Sequence, residues 1–226
     1  MRLATDYEQW YDGIFSGEGP VFSRMAFTKG GLPKRAQFDL FKKMQLSTPP
    51  HGLVSELAER MRIPILGEAA PGEWTEDLKC LVYLDECAHR GEGKTVLSLA
   101  DACCQYPGHF ASLFVPIPGG PVAFRMVRFG RLAFWLRQEG RPGSWQSNFL
   151  DQETVLRKWT PNSKNPIPRV LWAIDFLPTP FGLLAVDFNT APQLVTLGEE
   201  KCLAEDEIRA ELAFAGQNYP DHLNQF

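Results

Sequence analysis

Four apolar runs of strand length crowd the second half of the chain, and the connections within each pair are too short to hold a helix. VAFRMVRFG (122–130) passes into RLAFWLRQ (131–138) at Gly130, and VLWAIDFL (170–177) is separated from GLLAVDFN (182–189) only by Pro178-Thr179-Pro180-Phe181. Strands joined this tightly pair antiparallel, because a parallel pair needs a crossover of a dozen or more residues. Ala111 to Ile117 is a further strand candidate, and residues 151–159 form an amphipathic piece ahead of the Pro- and Asn-rich connection TPNSKNPIPR (160–169).

The first half reads differently. Beyond an irregular start rich in Gly and aromatics, PKRAQFDLFKKMQL (33–46) sets Phe38, Phe41, Met44 and Leu46 at roughly helical spacing. Pro33 suits a first turn, and Thr48-Pro49-Pro50 is expected to stop the helix. Leu53 to Met61 predicts a second helix with Ser55 as its cap, residues 79–84 a strand, TVLSLADACCQY (95–106) a helix, and AEDEIRAELAFA (204–215) a charged amphipathic helix. The expected fold class is α+β, helix-rich early and antiparallel sheet late.

Composition serves mainly to exclude. A formal charge of −4 over 226 residues gives no general pull toward nucleic acid or anionic lipid. No apolar stretch approaches the roughly 20 residues that span a bilayer. MRLATDYEQWYDGIF lacks the apolar core of a signal peptide, so a cytoplasmic location is expected, with no membrane partner. Five cysteines, an odd number, do not describe a disulfide framework; reduced, mostly buried thiols are expected. A zinc site from Cys87, His89, Cys103 and His109 would lack any CxxC or HxxxH element.

Two stretches carry chemistry. In AHRGEGKT (88–95), glycines, a lysine and a threonine lie between a strand and an expected helix, and the pattern fits a loop that holds phosphate. It also matches the looser P-loop form, with Ala88 first, Lys94 reaching the terminal phosphates and Thr95 on Mg²⁺. A P-loop NTPase is therefore one alternative, although such folds need several βαβ units. The second stretch is AIDFLPTPFGLLAVDFNTAP (173–192). A hairpin centred on Phe181 would set Asp175 opposite Asp187, with Asn189 on the same face. Opposed carboxylates about 4.5–5.5 Å apart at Cβ repel unless one is protonated or a cation lies between them. With an amide oxygen they suit Mg²⁺ shared with phosphates. The alternative is a hairpin with one wet face whose aspartates pair with arginines.

These residues resemble the ATP-grasp superfamily, in particular its carboxylate–amine ligases. There an acidic strand residue is followed about twelve positions later by E-x-N, small residues and Pro; here stand Asp175 and then Asp187-Phe188-Asn189-Thr190-Ala191-Pro192. Upstream, Arg125, Gly130, Arg137 and Asn148 follow the order of an Arg, a Gly, a second Arg and an Asn in those ligases, and Lys34 resembles the lysine that starts an early helix. The likeness touches most of residues 30–195. It departs in the absence of a lysine near Tyr83 or Leu84, in LFVPIPGG (113–120) where an acidic adenine hinge is usual, in a short proline-rich stretch between Asn148 and Asp175, and in the absence of room for a front domain.

The resemblance implies a two-lobed fold, with lobes over 1–115 and 116–198 and a helical tail over 199–226. It implies ATP and Mg²⁺ as cofactors and activation of a small-molecule or peptide carboxylate as an acylphosphate, captured by an amine or a thiol. Asp175, Asp187 and Asn189 would hold the metal. Lys34, Arg90, Gly91, Gly93, Lys94 and Asn148 would contact ATP, and Arg125 and Arg137 would offset charge in catalysis. A second copy, or a partner chain, could stand in for the front domain. A non-catalytic nucleotide-binding or scaffold protein of the same fold is the other alternative.

Overall fold

The computed structural model describes residues 32–61, 78–87, 93–117, 120–141, 150–162, 165–167, 169–190, 192, 197 and 202–218. Their elements are α1 (Lys34–Lys43), β1 (His51–Leu53), α2 (Val54–Met61), β2 (Lys79–Tyr83), β3 (Lys94–Ser98), α3 (Leu99–Gln105), β4 (Phe110–Leu113), β5 (Val122–Phe129), β6 (Leu132–Gly140), β7 (Leu150–Trp159), β8 (Leu171–Thr179), β9 (Gly182–Asn189) and α4 (Glu205–Asn218). They build two antiparallel sheets, a smaller one ordered β1-β4-β2-β3 and a larger one ordered β7-β6-β5-β8-β9. The class is α+β.

In the large sheet the two tight pairs form as their spacing requires. β5 and β6 turn at Gly130, whose φ of 57° lies in the left-handed region that glycine enters without strain. The amphipathic stretch after residue 150 is a third neighbour, β7, paired to β6 with register irregularities between Trp135 and Leu136 and between Glu139 and Gly140.

The small sheet corrects the reading of residues 95–106. Lys94–Ser98 is strand and pairs residue for residue with β2, and the helix begins only at Leu99. Ser98 decides the boundary: its hydroxyl accepts the Asp101 N–H at 3.0 Å, a side-chain cap that starts the helix there. The P-loop alternative falls with this correction. It requires Lys94 and Thr95 at a helix N-terminus after a parallel strand, and both open an antiparallel one. Gly93, at φ 61°, closes the β2–β3 loop, its carbonyl accepting from the N–H groups of Leu84 (2.8 Å) and Asp85 (3.2 Å). Smaller corrections follow. The strand expected from Ala111 spans Phe110–Leu113. Ser55 lies inside α2, while Glu56 Oε2 accepts the Leu53 N–H at 3.0 Å. Of the five free thiols only Cys80 is buried, and Cys87 and Cys104 are exposed.

Helix α1 ends earlier than its prolines suggested. The Leu46 N–H bonds Phe41 O at 2.9 Å and the Gln45 N–H bonds Lys42 O at 3.1 Å, while Gln45 takes φ 57°. This is a Schellman stop with a glutamine where glycine is favoured, sealed by buried Phe41 and Leu46. Gln45→Gly should therefore stabilise the protein by about 0.5–1 kcal/mol, read as a higher denaturation midpoint with an unchanged slope.

Three apolar clusters hold the elements together. The first joins Phe38 and Phe41 of α1 to Tyr83 and Phe110 of the small sheet and to Trp135, Trp172 and Phe176 of the large one, so a single core links both sheets through α1. The second lies on the opposite face of the large sheet, where Val127, Phe129, Phe134 and Leu136 meet Leu197, Leu203 and Ala215, with Ile208 and Leu212 of α4 against them. The third packs α2 and α3 on the small sheet. Helix α4 is fastened by Glu211, 4% exposed, which takes the Arg131 N–H at 2.6 Å and its guanidinium at 2.8 Å. A Cβ on Gly130 would collide with that carboxylate.

Candidate functional site

Asp175 and Asp187 face each other across β8 and β9, but not through the symmetric hairpin first expected. The turn is the two-residue Pro180-Phe181, with Thr179 opposite Gly182, and the register shifts once between Asp175 and Phe176. Val186 is the extra residue on β9. Without that bulge Asp175 would face Val186, and Asp187 would project to the other side. One irregularity thus creates the pair of carboxylates.

Neither carboxylate is left to repel the other. Arg125, directly opposite Asp175 on β5, binds it in a fork, Nε to Oδ1 at 2.6 Å and a terminal nitrogen to Oδ2 at 2.8 Å, with both side chains 14% exposed. Lys34, in the first turn of α1, is nearly buried and ion-paired to Asp187 Oδ1. Its ammonium also donates to Gln37 Oε1 (3.1 Å) and Val186 O (3.4 Å), which completes its three bonds.

Local structure places that lysine. Pro33 offers no side-chain cap, so the first N–H groups of α1 turn to the loop after β2: Lys34 N–H to Glu86 O and Arg35 N–H to Glu86 Oε2, both at 3.0 Å. The helix then covers the outer edge of β9, where Phe188 N–H donates to Gln37 Oε1 (2.9 Å) and Ala185 N–H to Ser47 O (2.8 Å).

The second lysine comes from the small sheet. Lys94 pairs with Tyr83 across the β2–β3 hairpin, and its ammonium stands 5.8 Å from the Tyr83 ring centroid, with Lys34 at 5.7 Å. Among the described residues Lys94 Nζ donates no hydrogen bond. Burial, then the like charge of Lys34, lower its pKa. Burial opposes the Lys34 ammonium most strongly, but Asp187, Tyr83 and Asp175 together outweigh it and the net shift is upward. Desolvation pushes the Asp187 carboxyl up, yet Lys34, Lys94 and Arg125 together hold it below the usual carboxylate range. It stays ionised, as a hard-metal ligand must be.

Other expected residues fall elsewhere. Arg137 faces Phe124 and Arg125 faces Leu136, so the two arginines lie on opposite faces of the sheet. Arg137 is paired instead with Glu139. Asn189, opposite Ala173, is on the Asp175–Asp187 face. Gly93 shapes the loop beside Lys94. Arg90, Gly91 and Asn148 lie outside the described residues.

The face also carries groups that sequence reading missed. Gln138, 1% exposed, donates to Glu153 across β6 and β7, and Glu153 adds its field at Arg125. Tyr83, the apolar floor under both lysines, was missed as well. The tight turn at Gly130 was signal enough to show that Arg125 and Arg137 differ in parity. Finding Glu153 needed the irregular register of β7.

In sum, three cations converge on two facing carboxylates where the large sheet, α1 and the small sheet meet. Glu153 offsets charge at the Arg125 end, while Lys34 and Lys94 leave the Asp187 end positive and suited to an anion, and lysines and arginines are groups that bind phosphate. Among the described residues no group of three or more His, Cys, Asp or Glu side chains could hold a metal alone. Asp175, Asp187 and Asn189 supply hard oxygens that fit Mg²⁺ when phosphate oxygens complete its shell. No helix among the described residues is long and apolar enough to cross a membrane.

No family model matches the sequence, and no curated protein matches it. Solved structures do. The D-alanine–D-alanine ligase from Bacillus anthracis complexed with ATP is similar at a TM-score of 0.51 and 8% identity, covering 88% of this chain and 70% of that one. A RiPP-associated ATP-grasp ligase from Chryseobacterium gregarium, in complex with ADP and a leader and core peptide, gives 0.48 at 10% identity, covering 93% and 67%. The macrocyclase MdnB from Microcystis aeruginosa gives 0.42 at 14% identity, covering 79% and 58%. At 8% identity the likeness to the D-alanine–D-alanine ligase concerns the backbone alone: the chain has an ATP-grasp-like fold.

Proposed function

We propose that the protein is an ATP- and Mg²⁺-dependent ligase that activates a carboxylate as an acylphosphate for capture by an amine or a thiol. The observation that carries this reading is the convergence of Lys34 of α1, Lys94 of β3 and Arg125 of β5 on Asp175 and Asp187 in an ATP-grasp-like fold.

Lys94, half-buried and without a carboxylate within ion-pair distance among the described residues, is the natural first contact for the β- and γ-phosphates. Lys34 is the second. Lys94 faces Tyr83 across the hairpin, so it brings an ammonium to the end of β2, where the resembling ligases carry their own lysine. Asp175, Asp187 and Asn189 would hold Mg²⁺, which screens the phosphate charge during transfer. Arg125 holds Asp175 in place through its fork and adds fixed positive charge beside the transferring group. The substrate carboxylate oxygen attacks the γ-phosphorus and ADP leaves. The acceptor then attacks the acyl carbon and phosphate departs. The substrate is a small-molecule or peptide carboxylate.

One observation favours the second reading, a nucleotide-binding protein without turnover. Arg137 lies on the opposite face, so Arg125, already engaged by Asp175, is the single arginine of the cluster among the described residues.

Calorimetry of ATP with Mg²⁺, followed by ADP and phosphate release across a panel of carboxylates with hydroxylamine as acceptor, tests both. Binding with stoichiometric ADP, phosphate and hydroxamate supports the ligase. Binding without turnover supports the second reading. An absence of binding removes both.

A further inference from the structure

We propose that the cluster is an anion-first site: a polyphosphate chain binds it without metal, and a divalent cation enters only after the phosphates are in place. The inference rests on the reading of this cluster as the phosphate site and adds the order in which that site fills.

The carboxylate oxygens carry it. Arg125 takes both oxygens of Asp175, and Lys34 takes Oδ1 of Asp187. Among the described residues, Asp187 Oδ2 is the remaining carboxylate oxygen of the pair with no hydrogen-bonded partner. A dication arriving alone would meet one carboxylate oxygen free of hydrogen bonds, beside the Lys34 and Lys94 ammonium groups and the Arg125 guanidinium, with Glu153 at the Arg125 end. It would also have to strip its water against net repulsion, which Mg²⁺ does reluctantly.

A triphosphate meets the opposite situation. Lys94 is half-buried, at the edge of its hairpin, and without a hydrogen-bonded partner among the described residues, so an anion gains a strong contact there at reduced desolvation cost. Once bound, its charge outweighs the positive charge at the Asp187 end and reverses the sign of the local field. Phosphate oxygens then compete for the Lys34 ammonium, and each bond they win releases Asp187 Oδ1 toward the metal. Lys34 therefore acts as a stand-in cation that yields its place to the divalent ion when phosphate arrives. Its other acceptors, Gln37 Oε1 and Val186 O, are neutral and retain it near the site as it shifts.

The test uses the full chain and three probes: Mn²⁺ alone, followed by the loss of its free electron paramagnetic resonance signal; inorganic triphosphate in EDTA, by calorimetry; and MgATP, by calorimetry. In the wild type, triphosphate is expected to bind in EDTA, and Mn²⁺ to stay free at concentrations that saturate the site once triphosphate is added. Lys34→Met is expected to raise the affinity for Mn²⁺ alone by about tenfold or more and to lower that for triphosphate by a similar factor. Lys94→Met should lower triphosphate affinity and leave Mn²⁺ alone still unbound. Tight binding of Mn²⁺ alone to the wild type, or triphosphate binding only with metal, overturns the order. The wild-type titrations decide the matter even if Lys34→Met fails to fold. MgATP separates the two levels: if it does not bind, the ATP reading falls; if it binds while triphosphate needs metal, the order alone falls.

Discussion

Asp187→Ala is expected to abolish the part of ATP affinity that depends on Mg²⁺, and with it any turnover, while binding of triphosphate in EDTA persists or strengthens. Of the facing pair it removes the carboxylate with an oxygen free of hydrogen bonds among the described residues, so the metal loses the most open of its three proposed ligands. It also removes a negative charge from beside two lysines, which favours an anion. The free-energy loss for a charged contact of this kind is about 2–5 kcal/mol, a fall in MgATP affinity of about thirtyfold or more. Folding should survive. Asp187 keeps 40% side-chain exposure, so water screens the pair, and Lys34 retains two neutral acceptors; a stability cost of about 1–3 kcal/mol is expected, below that of a fully buried pair. Calorimetry with and without Mg²⁺, beside a thermal melt, separates lost binding from lost fold. Equal MgATP affinity in the variant and the wild type would remove Asp187 from the site.

The largest stability effect is expected at Arg125. Arg125→Met leaves Asp175, 14% exposed, without its forked partner and opposite a second carboxylate. Breaking a buried pair from one side costs about 3–5 kcal/mol, because the surviving charge stays desolvated. Adding Asp175→Leu should recover most of that loss, since an apolar pair of similar volume avoids the desolvation altogether. Denaturant unfolding of both single variants and the double variant forms a cycle that isolates the pair. An Arg125→Met midpoint close to the wild type would mean that water reaches Asp175 and that the fork contributes little.

Much of the large sheet was legible because its connections are short. The turn at Gly130 and the pairing of residues 171–179 with 182–189 follow from local spacing alone. The facing aspartates were also anticipated, although the route differed. A shorter turn moved the register by one residue and the Val186 bulge moved it back, so two irregularities cancelled at the positions that matter. The fold class followed from where helix-like and strand-like patterns lay along the chain.

What escaped depended on long-range pairing. KTVLS reads equally as the start of a helix, and only β2 lying alongside makes it a strand, although the Ser98 and Asp101 spacing was a visible cap. The partners of the aspartates were half seen. Pairing of the aspartates with arginines was the alternative reading and holds for Asp175, although Arg125 was not named as its partner, and Lys34 reaches Asp187 only because α1 covers the edge of β9. The position of Arg137 could have been worked out, since adjacent strands with a tight turn fix parity. Glu153 could not, because each irregularity in β7 changes which residues face the site.

The fastening of α4 has a consequence for how the molecule is made. The apolar face bearing Val127, Phe129, Phe134 and Leu136 is covered by Leu197, Leu203 and α4, and its clasp, Glu211 on the Arg131 turn, is synthesised 80 residues after that turn. At about 5–20 residues per second of synthesis, a ribosome-bound chain carries this greasy surface open to water for several seconds after the hairpin has formed. A chaperone that shields exposed strands has that interval in which to act, before α4 emerges to cover the face.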